Sequence, residues 1–166
     1  MGNKRNGFTL FFTSLLCVSF LLSACYNPRS QQTNEGLQDL MLSHKGQERE
    51  ISTEEILELD IFTGNVSPIA KDGEGRRTYE VEGILLEDIL QEFLGIPQKD
   101  ARSISLTAGD GYSIEVEEEL LAKEIILAYK IDDQPLGEDE KPFKIVIPDV
   151  FEMYWVQNLV RIEIIN

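Results

Sequence analysis

Residues 102–116 read RSISLTAGDGYSIEV, and both arms of this stretch alternate with period two. Ile104 and Leu106 fall on one side and Ser103, Ser105 and Thr107 on the other; past the centre, Tyr112, Ile114 and Val116 alternate with Ser113 and Glu115. Such alternation marks two half-buried antiparallel strands, with Tyr112 on the apolar side of the second. Between the arms, Gly109 and Gly111 flank Asp110, and glycine supplies the positive φ that a tight reversal needs. The expected unit is a β-hairpin.

Upstream, the apolar pairs Leu85/Leu86, Ile89/Leu90 and Phe93/Leu94 recur every four residues behind Glu87 and Asp88, which suit a helix N-terminus. Gly95 ends that helix and Pro97 prevents its return. Thr78–Glu82 reads as a strand leading into Gly83. Further back, Leu40–Ser43 and Gln47–Ile51 pair as short strands about His44-Lys45-Gly46. Ser52-Thr53-Glu54-Glu55 is a capping box, with Ile51 placed to staple onto Ile56 and a short helix running to about Leu59. Asp60–Val66 gives another strand, and the turn-rich segment Ser67–Arg77 carries Arg76 and Arg77 side by side.

Downstream, Glu117, Glu118 and Glu119 open a short helical turn, and Ile125–Tyr129 is an uninterrupted apolar run that fits a strand covered on both faces. Gln134–Pro142 reads as a loop, Phe143–Ile147 as a strand stopped by Pro148, and Val160–Ile164 as the last strand. The sum is an α+β fold: mixed β-sheets with a few short helices.

The N-terminus has a different character. Lys4 and Arg5 precede an uncharged run from Phe8 to Ala24, the charge pattern of a secretory signal. The run closes on Leu22-Ser23-Ala24-Cys25, which resembles the lipobox of bacterial lipoproteins, in which the cysteine is acylated and the leader is cut before it. The alternative is an uncleaved anchor, since residues 8–24 fall at the short end of the ~17–25 that span a bilayer. Either way the chain is expected outside the cytoplasm and attached to a membrane. The organisation read from the sequence is therefore a signal peptide over 1–24, a polar flexible tether over 25–36 beginning at the lipidation site Cys25, and one domain over 37–166.

Cleavage before Cys25 leaves 142 residues, and losing Lys4 and Arg5 deepens the net charge from −15 to −17. A surface that acidic excludes nucleic acid as a partner. Cys17 lies in the leader and Cys25 takes the lipid, so the domain has no thiol for a disulfide, a nucleophile or a metal. His44 is the only histidine, which leaves no serine or cysteine nucleophile paired with one for hydrolase chemistry. Glu117–Glu119 cannot converge on one ion from a helix, and Asp132-Asp133 lacks the spaced oxygen ligands of a calcium loop, so no metal site is expected.

In order and spacing, Gly83-Ile84-Leu85-Leu86-Glu87-Asp88-Ile89-Leu90, Gly109-Asp110-Gly111-Tyr112, Leu127-Ala128-Tyr129, Gln134-Pro135-Leu136, Pro142-Phe143-Lys144, Ile147-Pro148 and the close Trp155–Ile162 resemble the molybdopterin-binding domain of the sulfite oxidase family. The resemblance covers residues 79–164 and implies an α+β fold with mixed sheets. It also implies a molybdenum-ligating cysteine in a Cys-x-Gly-Asn setting, where this chain has Phe62-Thr63-Gly64-Asn65. A phenyl ring cannot ligate a metal. The family's phosphate-binding arginine corresponds to Lys144, its lysine before the tryptophan turn is missing from Tyr154-Trp155-Val156-Gln157, and its glycine-rich stretch reads Asp149-Val150-Phe151-Glu152-Met153.

Two functions follow as expectations. One is a non-catalytic module that keeps the scaffold and binds a small ligand or an extracytoplasmic protein, with Arg76, Arg77, Tyr112, Lys144 and Trp155 as candidate ligand-binding residues and no catalytic residue. The purely structural alternative, which is the favoured one for each of these side chains, is that Tyr112 and Tyr129 sit in the core, Trp155 plugs a sheet edge, and Arg76 and Arg77 are solvated in a loop. The other is a molybdopterin-dependent oxidoreductase or accessory redox subunit. No bound cofactor is expected, and molybdopterin is the one the resemblance leaves open.

Overall fold

The structure, a computed structural model, describes residues 38–70 and 77–165. The hairpin forms: β5 (Ser103–Ala108) pairs antiparallel with β6 (Ser113–Glu117), setting Ile104 against Val116 and Leu106 against Ile114. The two glycines of its turn have different duties. Gly111 takes the positive φ of +89°, whereas a Cβ on Gly109 would meet the Asn158 side-chain nitrogen at 2.6 Å. Asp110 Oδ1 accepts from the Tyr112 N–H at 2.8 Å and tightens the reversal.

Two sheets carry the fold. The first has the order β2-β1-β10-β5-β6, built from β1 (Leu40–His44), β2 (Gln47–Ile51), β10 (Leu159–Ile165) and the hairpin. The β1–β10 pairing is parallel and the others antiparallel, which makes the sheet mixed. The second sheet runs β3 (Ile61–Val66), β4 (Tyr79–Leu85), β7 (Ile126–Ile131). Along the far edge of β7 lie β8 (Gln134–Pro135) and β9 (Lys144–Val146), opposite its C-terminal and N-terminal halves respectively. The expected loop over 134–142 thus contains one short rung of sheet.

Ser52 and Glu55 form the capping box of α1 (Thr53–Leu57), with the Glu55 carboxylate 2.9 Å from the Ser52 N–H and the Glu55 N–H 3.3 Å from Ser52 Oγ. The α2 helix (Leu86–Leu94) buries Leu86, Ile89 and Leu90 and stops at Gly95, whose φ of 67° is left-handed. The α3 turn (Glu118–Leu121) follows β6 directly. A single apolar cluster joins Leu42, Ile104 and Ile162 of the first sheet to Val81, Leu127 and Ile145 of the second and to Ile89 of α2. Burial on this scale is the main source of stability for such a domain.

One strand is longer than its sequence suggests. β4 does not end at Glu82 but continues through Gly83 to Leu85, with a register shift against β7 at Glu82/Gly83. A Cβ on Gly83 would run into the Leu127 carbonyl oxygen and come within 2.8 Å of Ala128 Cα. Glycine is there because the β7 backbone passes too close for any side chain.

Candidate functional site

A cavity of about 220 Å³ opens where β4, β7, β9 and the segment after Pro148 meet, lined by Tyr79, Ile131, Glu140, Lys144, Glu152, Trp155 and Gln157. β9 is held by Ile145 N–H bonding the Val156 carbonyl at 2.7 Å, which brings Lys144 and Trp155 to one place from positions eleven residues apart in sequence. Trp155 is buried, and its indole N–H donates to the Ile147 carbonyl at 3.0 Å. Its ring meets Tyr79 edge-on at 5.5 Å between centroids, an attractive aromatic geometry. Lys144 Nζ stands 5.9 Å from the centre of the same indole.

The charges in this cavity answer one another. Lys144 Nζ lies 2.7 Å from Glu140 Oε1, with the two side chains 15% and 28% exposed. Gln157 Nε2 donates to the same oxygen at 3.2 Å. Burial opposes ionisation of Glu140, but the Lys144 hydrogen bond and charge and the Gly137 N–H outweigh it and hold the carboxyl below its ordinary value. Tyr79 donates to Glu152 Oε1 at 2.8 Å, and burial, followed by that acceptor, pushes its phenol above the usual range. Two carboxylates and one ammonium therefore line the space.

Arg77 extends the cluster outward. Its guanidinium lies 4.4 Å from the Tyr79 ring centre and 3.6 Å from Asp132, so it is stacked and paired rather than simply solvated. Lys144, Trp155 and Arg77 are thus brought together around Tyr79. Arg76 and Cys25 lie outside the described residues.

Tyr112 is elsewhere, and neither Tyr112 nor Tyr129 is buried in the core. Tyr112 precedes β6, is 48% exposed and donates to the Met153 carbonyl at 3.1 Å, because the Asp110 turn holds it outside the ladder. Tyr129 is on β7 but only half-buried: its hydroxyl donates to Glu82 at 2.7 Å, and burial together with that carboxylate raises its pKa to about 12. Trp155 closes the wall of a cavity. Tyr79, Glu140, Glu152 and Gln157 were not legible as site residues, since each reaches the cavity only through pairings made between separate strands and loops.

Among the described residues no group of three histidine, cysteine or acidic side chains is arranged to hold a metal ion.

The family model of the oxidoreductase molybdopterin binding domain matches residues 44–166. The chain belongs to that family. Among solved structures it is similar to the sulfane dehydrogenase SoxCD from Paracoccus pantotrophus, with a TM-score of 0.61 and 15% identity over 76% of this chain. The chain spans only 38% of that protein's length, so the likeness concerns the fold. No curated protein matches the sequence.

The residues present do not fit the family's cofactor. Phe62, where the thiolate is expected, is on the edge strand β3, and its ring lies against the core and over Gly64. Lys144, in the position of the phosphate-binding arginine, is already neutralised by Glu140, and Glu152 adds a further negative charge. At about 220 Å³ the cavity is smaller than the ~300–1,000 Å³ usual for small-molecule sites. Asp149 takes a left-handed φ of 53° at the head of the segment that is glycine-rich in the family, and the exposed Phe151 and Met153 follow it.

Proposed function

We propose that this protein is a lipid-anchored extracytoplasmic module in which the molybdopterin-binding scaffold serves binding and not catalysis. The observation that carries the reading is the absence of any cysteine from residues 26–166, which leaves a molybdenum centre without its protein thiolate. The Lys144–Glu140 pair supports it, because a cation whose charge is already answered at 2.7 Å contributes little to holding a phosphate. A fold outlives the chemistry of its site, so membership of an oxidoreductase family does not by itself make a member an oxidoreductase. Cys25 is the proposed attachment point. The acidic surface and the aromatic walls around Tyr79 and Trp155 are consistent with a partner or small ligand that carries positive charge.

Molybdenum analysis of the full chain, purified from a host that makes molybdopterin, tests this directly. The expected content is far below one metal per chain, with no sulfite oxidation or sulfoxide reduction. Stoichiometric molybdenum would replace the binding reading with a molybdopterin oxidoreductase that holds its metal without a protein thiolate.

A further inference from the structure

The hairpin that organises the fold also ends a sheet. Among the described residues β6 has a neighbour on one side only, β5. Ala108 donates to the Tyr112 carbonyl at 2.8 Å, which sets the phase of the ladder; in the observed register the hydrogen-bonded pairs are then Leu106/Ile114 and Ile104/Val116. It follows that the main-chain N–H and C=O groups of Ser113 and Glu115, and the N–H of Glu117, point outward, off the sheet; the Glu117 carbonyl opens the α3 turn. Such an edge is a template for another strand.

A groove of about 510 Å³ runs beside this edge. Its floor includes Ile69, Val150 and Phe151, of which Ile69 is 41% and Phe151 43% exposed. Its rim carries Glu115, Glu117 and Glu119. Glu117 and Glu119 form no ion pair among the described residues. An apolar floor under a row of carboxylates suits lysine or arginine, whose methylene stems lie on apolar surface while their charged ends reach the acids. On the opposite face of the edge, Ile114 is half-buried and Val116 buried, so a strand beside β6 would present apolar residues there.

We propose that the β6 edge and its groove bind an extended segment of a partner protein in which basic and apolar residues alternate, added as a strand beside β6. The proposal rests on the reading of the domain as a binding module and names the partner's chemistry. Main-chain hydrogen bonds to Ser113, Glu115 and Glu117 give the affinity, and the carboxylates over the floor select a cationic strand over an acidic one.

The test uses the full chain in mild detergent and two soluble peptides, one alternating lysine with valine and one alternating glutamate with valine. The lysine peptide should bind saturably, lose affinity as salt rises, and slow amide exchange at Ser113, Glu115 and Glu117; the glutamate peptide should not bind. Glu117 has a φ of −88° and an outward N–H, so Glu117→Pro removes one edge donor while leaving the β5 ladder intact. It should weaken the lysine peptide about tenfold or more, against about fivefold or less for Glu117→Gln, which removes the charge alone.

Equal affinities in the two variants, binding of the glutamate peptide, or protection centred on Lys144 and Trp155 would overturn the edge assignment. So would edge amides already protected in the chain alone, since another segment of this chain would then occupy the edge. Failure of the module reading appears in a separate measurement, stoichiometric molybdenum. A molybdenum-free chain that ignores the lysine peptide overturns the docking surface alone.

Discussion

Thr53 and Gln98 are both buried polar side chains, and they differ in what they satisfy. Gln98 is 5% exposed and its amide donates to the Leu121 carbonyl at 2.7 Å and the Lys123 carbonyl at 3.0 Å, tying the turn before β5 to the end of α3. Thr53 Oγ1 has no partner among the described residues. Gln98→Leu, which orphans two carbonyls, should destabilise the domain by about 1–3 kcal/mol, whereas Thr53→Val should stay within about 0.5 kcal/mol or gain. Denaturant midpoints of the two variants check both, and a larger loss at Thr53 would reveal a partner for its hydroxyl. Glu140 supplies a pH signature. Its folded pKa lies below its unfolded value, so the Lys144 pair contributes stability that is complete above the ordinary carboxylate pKa of about 4.3 and is lost as pH falls through the lower folded value. Glu140→Gln should flatten that acid-side loss, read from melting temperature against pH, and leave the slope above neutrality unchanged. The pairing itself was not legible. Lys144 was readable as a basic residue from its strand, but Glu140 lies in a loop, and only the fold of that loop onto β9 makes it the lysine's counter-charge.

At the scale of elements, local chemistry was a good guide wherever it acts within a few residues. The capping box at Ser52, the left-handed stop at Gly95 and the hairpin over 102–116 all formed as their residues require. Gly83 shows where such reading stops. Glycine inside an apolar run reads as punctuation, yet here β4 continues through it because the β7 backbone at Leu127 and Ala128 comes too close for a Cβ. Gly83→Ala should therefore cost about 2 kcal/mol or more through forced separation of two central strands. A midpoint within experimental error of the parent would show that the strands can part at little cost. Tyr112 is the complementary case. Its period-two position pointed to the core, but a local hydrogen bond from its own N–H to Asp110 sets the chain direction there and puts the ring outside.

For the whole molecule, attachment is the first matter to settle by experiment. Cys25→Ser should release the domain from the membrane fraction or stall processing of its leader, because two or more acyl chains anchor stably where one does so only marginally. Unchanged fractionation together with unchanged mass in that variant would refute lipidation at Cys25. By itself the sequence determined the fold class, through period-two and period-four patterns that follow from strand and helix geometry, and the membership of a molybdopterin-binding family, through the order of short motifs. It also determined that the domain has no thiolate, since composition alone states that. Tertiary structure decided the rest. The parallel pairing of β1 with β10 joins the two ends of the domain, and the cavity of Tyr79, Glu140, Lys144, Glu152 and Trp155 collects residues from points up to 76 positions apart. Contacts of that span depend on which strands become neighbours, and side-chain periodicity specifies the face a residue takes but not the strand it faces.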